Sequence, residues 1–253
     1  MTGYGAEGWE QVDPYDGESP YLWVKLEHLG RYLFAADYLA SRNHRGTVLD
    51  VGCGLGYGLP ELRRASGRVV GVDPDPAALE AAGTRYAGEG IELLVSGAED
   101  LPVGAGEAGA AVCFETLEHL ESPRAALGSI YRALGAGGAF ICSVPNAAYE
   151  ARDAAGLPAN RHHRQLFTYE SLCGSLEGSG FEVLYRLGQP LSNRLLRRET
   201  ELFRRGIIAE RLGRSTTVRE PGVIRSLSYL LAYPTAEAAE ESYAMTVVCR
   251  KPG

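Results

Sequence analysis

Three stretches of the chain concentrate the side chains and backbone that could do chemistry. Glu115-Thr116-Leu117-Glu118-His119 sets two carboxylates and an imidazole within five residues, and His162-His163-Arg164-Gln165-Leu166-Phe167-Thr168 adds two more imidazoles. The remaining histidines are His28 and His44. Groups of these types can take a proton as a general base, or, as a mixed oxygen and imidazole set, hold a divalent ion such as Mg or Mn. They can equally cap a helix and brace a loop, as most buried polar groups do. The third stretch, VLDVGCGLGYG at residues 48–58, places Gly52, Gly54, Gly56 and Gly58 directly after an apolar run that carries Asp50. Bare backbone there lets amide N–H groups and a helix N-terminus approach a ligand closely. The dinucleotide fingerprint G-x-G-x-x-G fails at this loop: its third glycine would fall on Tyr57 or on Leu59. A nicotinamide or flavin ligand is therefore the runner-up. Asp73, 23 residues after Asp50, ends the next apolar run, where a carboxylate can accept from both hydroxyls of a ribose. The expected ligand contains a nucleoside.

The elements that must position these residues follow from periodicity. Short β-rich runs (TVLDV, RVVGVD, IELLV, AAVCFE, AFICSVP) alternate with helical ones (through Leu59 and Leu62, Pro76 to Tyr86, Ser122 to Leu134). Thr168 to Gly178 again reads as helix, with FEVLYRL and YAMTVVCR as the last strands. This alternation predicts an α/β fold with a Rossmann-like, seven-stranded, mostly parallel sheet and flanking helices. Ahead of it, Glu18-Ser19-Pro20 reads as a helix start, and Leu22, Leu26, Leu29, Leu33, Ala36 and Leu39 continue at helical spacing. The expected organisation is an N-terminal helical cap (1–45), a Rossmann-like core (46–187), a helical insertion (188–240) and the last strand of the core (241–253). Within the insertion, Leu191, Leu195, Leu202, Phe203, Ile207 and Leu212 form one helical stripe. The 253 residues carry a formal net charge of −7, so no general attraction to nucleic acid or anionic membrane is expected. Neither a secretion signal nor a bilayer-length apolar run is present, and Cys53, Cys113, Cys142, Cys173 and Cys249 are widely spaced within apolar runs. A cytoplasmic protein with reduced, buried thiols is expected.

Taken together, VLDVGCGLGYG, VVGVDPDPAALEAA, GAEDLP (97–102), FETLEHL (114–120) and LGAGGAFICSVPN (134–146) resemble the class I S-adenosylmethionine-dependent methyltransferases, in particular the group that includes the ubiquinone and menaquinone biosynthesis enzymes. The resemblance runs over about residues 46–187, with the motifs in family order. It implies S-adenosylmethionine as the cofactor, contacted by Asp50, Gly52, Cys53, Gly54 and Gly56, by Asp73 and Pro74, by Ala98 and Glu99 on the adenine side, and by Glu115. Members of the group often carry Asp where this chain has Gly97, so the adenine amino contact would pass to Glu99, Asp100 or backbone.

On the acceptor side, the resemblance faces Glu115 to His119 towards the transferred methyl and matches the H-x-x-x-F-T stretch from His163 to a segment after the fifth strand. Three roles stay open. Glu118, His119 and His163 could cap and brace; His119 or His163, with Glu115 beside them, could supply catalytic groups, an imidazole acting as base; or Glu115, Glu118, His119 and His163 could hold Mg or Mn. The E-x-x-E-H stretch is shared with ubiquinone-pathway O-methyltransferases and with enzymes that 2′-O-methylate small RNA ends. The acidity of the chain favours a small-molecule hydroxyl over RNA. Residues 188–225 hold nine arginines (Arg194, Arg197, Arg198, Arg204, Arg205, Arg211, Arg214, Arg219, Arg225) against four glutamates, either a solvated helix face or a basic lid over an anionic acceptor. Amine or carbon methylation, and a nucleotide-binding regulator without chemistry, are the alternatives.

Overall fold

A computed structural model describes residues 12–15, 22–44, 46–209, 218 and 220–253. The predicted helix start at Glu18-Ser19-Pro20 lies outside the described residues.

Seven strands form one sheet in the order β3-β2-β1-β4-β5-β7-β6. They are β1 (Thr47–Val51), β2 (Arg68–Asp73), β3 (Ile91–Val95), β4 (Ala108–Phe114), β5 (Leu134–Pro145), β6 (Glu182–Gly188) and β7 (Ala244–Arg250). The first five pair in parallel; β7 runs antiparallel between β5 and β6. The fold is the expected Rossmann-like α/β sheet. It differs from the sequence reading in β5, which begins at Leu134 instead of Ala139. The intervening glycines form an irregularity in the strand, with Gly137 at φ 74° and its N–H donating to Lys251 O at 2.9 Å.

The two sheet faces bury alternate residues of each strand. Leu49, Val51, Val70, Cys113, Phe140 and Cys142 pack under α4 (Pro123–Ala133) and α5 (Tyr169–Gly178). Val48, Val69, Ala110, Val112 and Ile141 pack on the other face, against α1 (Leu22–Ser41), α2 (Leu59–Ala65) and α3 (Pro76–Tyr86). All five cysteines are buried and free. Local signals set the helix starts: Asp75 and Ser122 accept N-terminal N–H bonds ahead of Pro76 and Pro123, and Thr168 and Ser171 close a capping box.

The first helix is buried on more sides than its leucine stripe predicts. Tyr32, Ala35, Ala36 and Leu39 join the cluster on the sheet face. Leu22, Leu26, Leu29 and Leu33 pack instead with Ile224 and Ala232 of the insertion. The insertion is not one long amphipathic helix. It contains α6 (Pro190–Arg204), α7 (Pro221–Leu231) and a 3-10 turn (Ala236–Glu241). Gly206 at φ 66° follows the end of α6, so Ile207 leaves the predicted stripe and is exposed, as is Phe203. The side chains of Leu191, Arg194 and Leu195, and residues Arg211, Leu212, Arg214 and Arg219, lie outside the described ones. No helix among the described residues is long and apolar enough to cross a membrane.

Gly30 marks where α1 and the insertion meet, because a Cβ there would overlap the Ala232 carbonyl. Gly30→Ala is expected to cost on the order of 1–3 kcal/mol, lowering the melting temperature by several degrees. Gly128→Ala is the control, since Gly128 lies within α4 with open space where a Cβ would stand. That change should raise stability by about 0.5–1 kcal/mol. Equal melting of Gly30→Ala and wild type would show that this contact gives way freely.

Candidate functional site

The parallel register brings the acidic ends of neighbouring strands together. Asp50 pairs with Gly71 and with Val112, so Asp73 and Glu115 follow at the same edge of the sheet. The chain after β1 turns over that edge with Gly52, Gly54 and Gly56 at φ 77°, 50° and 77°. Each glycine has its own reason. A Cβ on Gly52 would collide with the Thr116 side chain, and one on Gly56 with Ala82 of α3. Gly54 has open space beside it, as backbone approached by a ligand requires. Its N–H donates to Asp73 Oδ2 at 2.9 Å, and Asp75 N–H donates to Oδ1 at 3.0 Å. Asp73 is thus oriented by two amides and only half-buried. Pro74 is exposed beside it. The Cys53 side chain points inward, against the position where Gly71 leaves room, and its amide donates to Val72 O.

Asp50 is buried. Its Oδ1 accepts from Tyr32 OH of α1 at 3.1 Å, while Oδ2 has no partner. Burial pushes its carboxyl up to about 7, against the Tyr32 bond, which acts to lower it, and with a further upward push from Asp73. A buried acid with one open oxygen, next to glycine backbone with open space, suits the ammonium-bearing end of S-adenosylmethionine. Asp73 suits the ribose. Ala98 and Glu99 lie on the turn that follows Val95, the register partner of Asp73; Ala98 is buried, and Glu99 is exposed and folds back against Gly97. The residues present therefore fit the cofactor that the motifs imply.

Glu115 departs from its predicted place in a metal set. It sits at φ 48°, a left-handed conformation that a non-glycine residue adopts only where its surroundings hold it. Its N–H donates to Ser143 O at 3.0 Å, and its carboxylate accepts from Ser143 Oγ at 2.7 Å. On the other side Arg31 Nη1 of α1 lies 3.7 Å from Glu115 Oε1 and donates to Gln189 Oε1 at 3.1 Å. Gln189 in turn donates to the carbonyls of Glu27 and Ala232. Glu115 is thereby committed to β5 and α1.

Glu118, His119 and His163 do converge, with one ligand-type atom of each within 4.8 Å of the others. Residues 117–119 form a 3-10 turn after β4, and Arg164 and Gln165 donate backbone N–H bonds to Glu118 O at 2.7 and 3.1 Å, which clamps the His163 segment onto it. His119 Nδ1 bonds His162 O at 3.2 Å, and the His119 and His163 rings meet edge to face at 4.9 Å. His119 Nε2 lies 3.8 Å from Glu118 Oε1. The Glu118 carboxyl is buried with neither oxygen hydrogen-bonded, and burial, reinforced by Glu115, raises its pKa well above the ordinary range. His163 Nδ1 bonds Glu150 Oε1.

Sequence reasoning missed Glu27, His28, Arg31, Tyr32, Tyr57, Ser143, Glu150 and Gln189. His28 Nδ1 bonds the Tyr57 hydroxyl at 2.9 Å over the glycine loop, and burial, then Arg31, lower its pKa well below the ordinary value. The polar residues of α1 were readable only as a solvated face. Glu150 stands in a loop with no motif around it. Among the arginines of the insertion, the exposed Arg198 and Arg205 pair with Glu201 and the half-buried Arg225 pairs with Glu61.

Residues 26–186 match the family model described as "Methyltransferase domain". A Mycolicibacterium smegmatis protein named "Probable S-adenosylmethionine-dependent methyltransferase" is 32% identical over 152 residues, 59% of this chain and 57% of the relative. A "Ubiquinone biosynthesis O-methyltransferase" of Xanthomonas axonopodis is 31% identical over 54% of this chain and 62% of its own. The matches thus span about three fifths of these relatives' length. Among solved structures, the [4+2]-cyclase SpnF superposes with a TM-score of 0.59 at 21% identity over 94% of this chain and 84% of that one. A methyltransferase from Thermotoga maritima gives 0.59 at 19% identity over 90% and 92%. These likenesses show the same fold.

Two buried acids give the site a pH signature. Glu27 is pushed up to about 8, by burial first, with Arg31 opposing and Glu115 adding, and Asp50 to about 7. Both keep protons in the folded protein that the unfolded chain releases near pH 4 (about). The folded state therefore binds more protons across that window, and this contribution to stability is lost as pH rises through about 7 to 8. Without added ligand, Asp50→Asn and Glu27→Gln should each lose less melting temperature than wild type between about pH 5.5 and 8.5. A variant that tracks wild type throughout would show its acid to be ionised in the folded state.

Proposed function

This chain belongs to the class I S-adenosylmethionine-dependent methyltransferases, and from that premise we propose that it methylates a hydroxyl of a small-molecule acceptor. The observation that carries the reading is the convergence of Glu118, His119 and His163 beside the cofactor-binding edge of the sheet. The O-methyltransferase among its relatives supports the choice of oxygen.

Asp50, the backbone at Gly52 and Gly54, Asp73 and the Ala98–Glu99 turn would hold the cofactor. When bound, S-adenosylmethionine would supply a methyl carbon activated by its sulfonium for the acceptor oxygen, with the carbon–sulfur electron pair left on sulfur. The chain's own part is to fix the approach, exclude water and receive the hydroxyl proton. His163 takes that proton, with His119 packed against it. Arg31 and Ser143 hold Glu115, which shapes the wall of the site without entering the proton transfer. A second reading has a specific observation in its favour: the buried Glu118 carboxyl, without a hydrogen-bond partner, needs either a proton or a cation. Glu118, His119 and His163 would then hold Mg or Mn and lower the acceptor's pKa, with Glu115 outside the set.

Release of S-adenosylhomocysteine from a panel of catechols, ribose-bearing alcohols and amines tests the function. Product with the hydroxyl compounds is expected; product with amines alone would move the reading to nitrogen, and binding without any product would leave a nucleotide-binding regulator. Asp73→Ala should weaken S-adenosylmethionine binding by about 1.5–3 kcal/mol in calorimetry, and unchanged affinity would remove the ribose assignment. His163→Ala should lower kcat about 100-fold or more at unchanged cofactor affinity. Insensitivity to chelator goes with the base reading. Loss in chelator and recovery with Mg or Mn goes with the metal.

A further inference from the structure

We propose that Glu150 is a positioning residue for His163, whose imidazole it holds as the Nδ1–H tautomer so that Nε2 is the bare nitrogen offered to the site. The inference rests on His163 belonging to the acceptor site.

The two side chains are nearly shut off from solvent, 4% exposed for Glu150 and 8% for His163. A carboxylate only accepts hydrogen bonds, so the contact between Glu150 Oε1 and His163 Nδ1 puts the hydrogen on Nδ1. A neutral imidazole then carries its lone pair on Nε2. Base and metal ligand alike need that nitrogen bare.

The fold delivers both partners on asparagine-built turns. Asn146, at the end of β5, accepts from Ala148 N–H through its side chain at 3.0 Å, and from Tyr149 and Glu150 N–H through its carbonyl at 2.9 and 3.1 Å. Its own amide donates to Ser242 O at 3.2 Å, which ties this turn to the segment entering β7. Asn160 does the same for the imidazole, accepting from His162 N–H at 3.0 Å and from His163 N–H at 3.2 Å. The second Glu150 oxygen is buried without a partner, so among the described residues this carboxylate braces nothing but His163. His119 is set by the same logic. Its Nδ1 faces the His162 carbonyl, an acceptor only, which turns Nε2 towards Glu118. Two adjacent imidazoles thus share one tautomer, each fixed from behind.

Long-range nitrogen–proton NMR of the full chain labelled with ¹⁵N, at a pH of about 8, reads this directly, with the His163 signals assigned by their loss in His163→Gln. Wild type should show Nδ1 protonated and Nε2 bare. Glu150→Gln can turn either its oxygen or its NH2 to Nδ1 and should give a mixture of tautomers. In the hydroxyl-acceptor assay it should lower kcat roughly 10- to 100-fold while leaving the affinity for S-adenosylmethionine unchanged. Nε2–H or a doubly protonated ring in wild type overturns the proposal, and so does a Glu150→Gln spectrum identical to wild type. Should Glu150→Gln fail to fold, the wild-type spectrum alone decides. If no acceptor yields product, the O-methylation reading falls while the tautomer still settles the role of Glu150.

Discussion

The site depends on one buried guanidinium. Arg31 is 1% exposed and sits in the middle of α1, where it meets Glu115 from β4 and Gln189 at the start of the insertion. A charge at that depth is costly unless paired, and removal of either partner strands the other. Three segments far apart in sequence are thereby held to one geometry. Glu115 can keep its left-handed backbone because Ser143 and Arg31 fix it from two sides. Gln189 carries the constraint on to the carbonyls of Glu27 and Ala232, so the insertion closes against the first helix and not against solvent.

That arrangement explains which parts of the protein were legible in the sequence. Strand runs such as TVLDV and RVVGVD read correctly because a parallel sheet buried on both faces needs continuous apolar β-formers. Proline and capping residues gave the starts of α3, α4 and α5. The glycine loop and Asp73 meet at one edge of the sheet, as their places in the sequence suggested, because backbone conformation and strand-end position are local properties. The first helix was legible as a helix, but its surroundings were not. Of its stripe, Ala36 and Leu39 join the sheet face while Leu22, Leu26, Leu29 and Leu33 meet Ile224 and Ala232 of the insertion, and His28 and Tyr32 meet the glycine loop and Asp50. Periodicity locates an apolar stripe; it does not say that the opposite face is wet. Arg31 and Glu27 are buried because other chain segments complete their surroundings, which no local window contains.

The acceptor side shows the same limit in a different form. E-x-x-E-H with His163 suggested four ligands from residue type alone, yet only Glu118 and His119 lie on the 3-10 turn, and Glu115 precedes it in a left-handed conformation. Glu118 and His119 turn to His163, and Glu115, still at the strand end, turns to Ser143. Glu150 went unseen because its role is defined by a partner 13 residues later, across two turns.

Charge at the glycine loop gives an argument that spacing alone left incomplete. A dinucleotide would bring a pyrophosphate to the helix that follows the loop, where amides and the helix dipole favour anions. Here Asp50 stands two residues before Gly52, buried, with one oxygen unpaired, and Asp73 takes up the Gly54 amide that a phosphate would use. An anion there would face the Asp73 carboxylate and the buried Asp50, with the Gly54 amide already occupied. A ligand that is cationic at this end and carries hydroxyls at the other meets neither objection. The failed G-x-G-x-x-G spacing and the two acids beside the loop both disfavour a phosphate at this backbone.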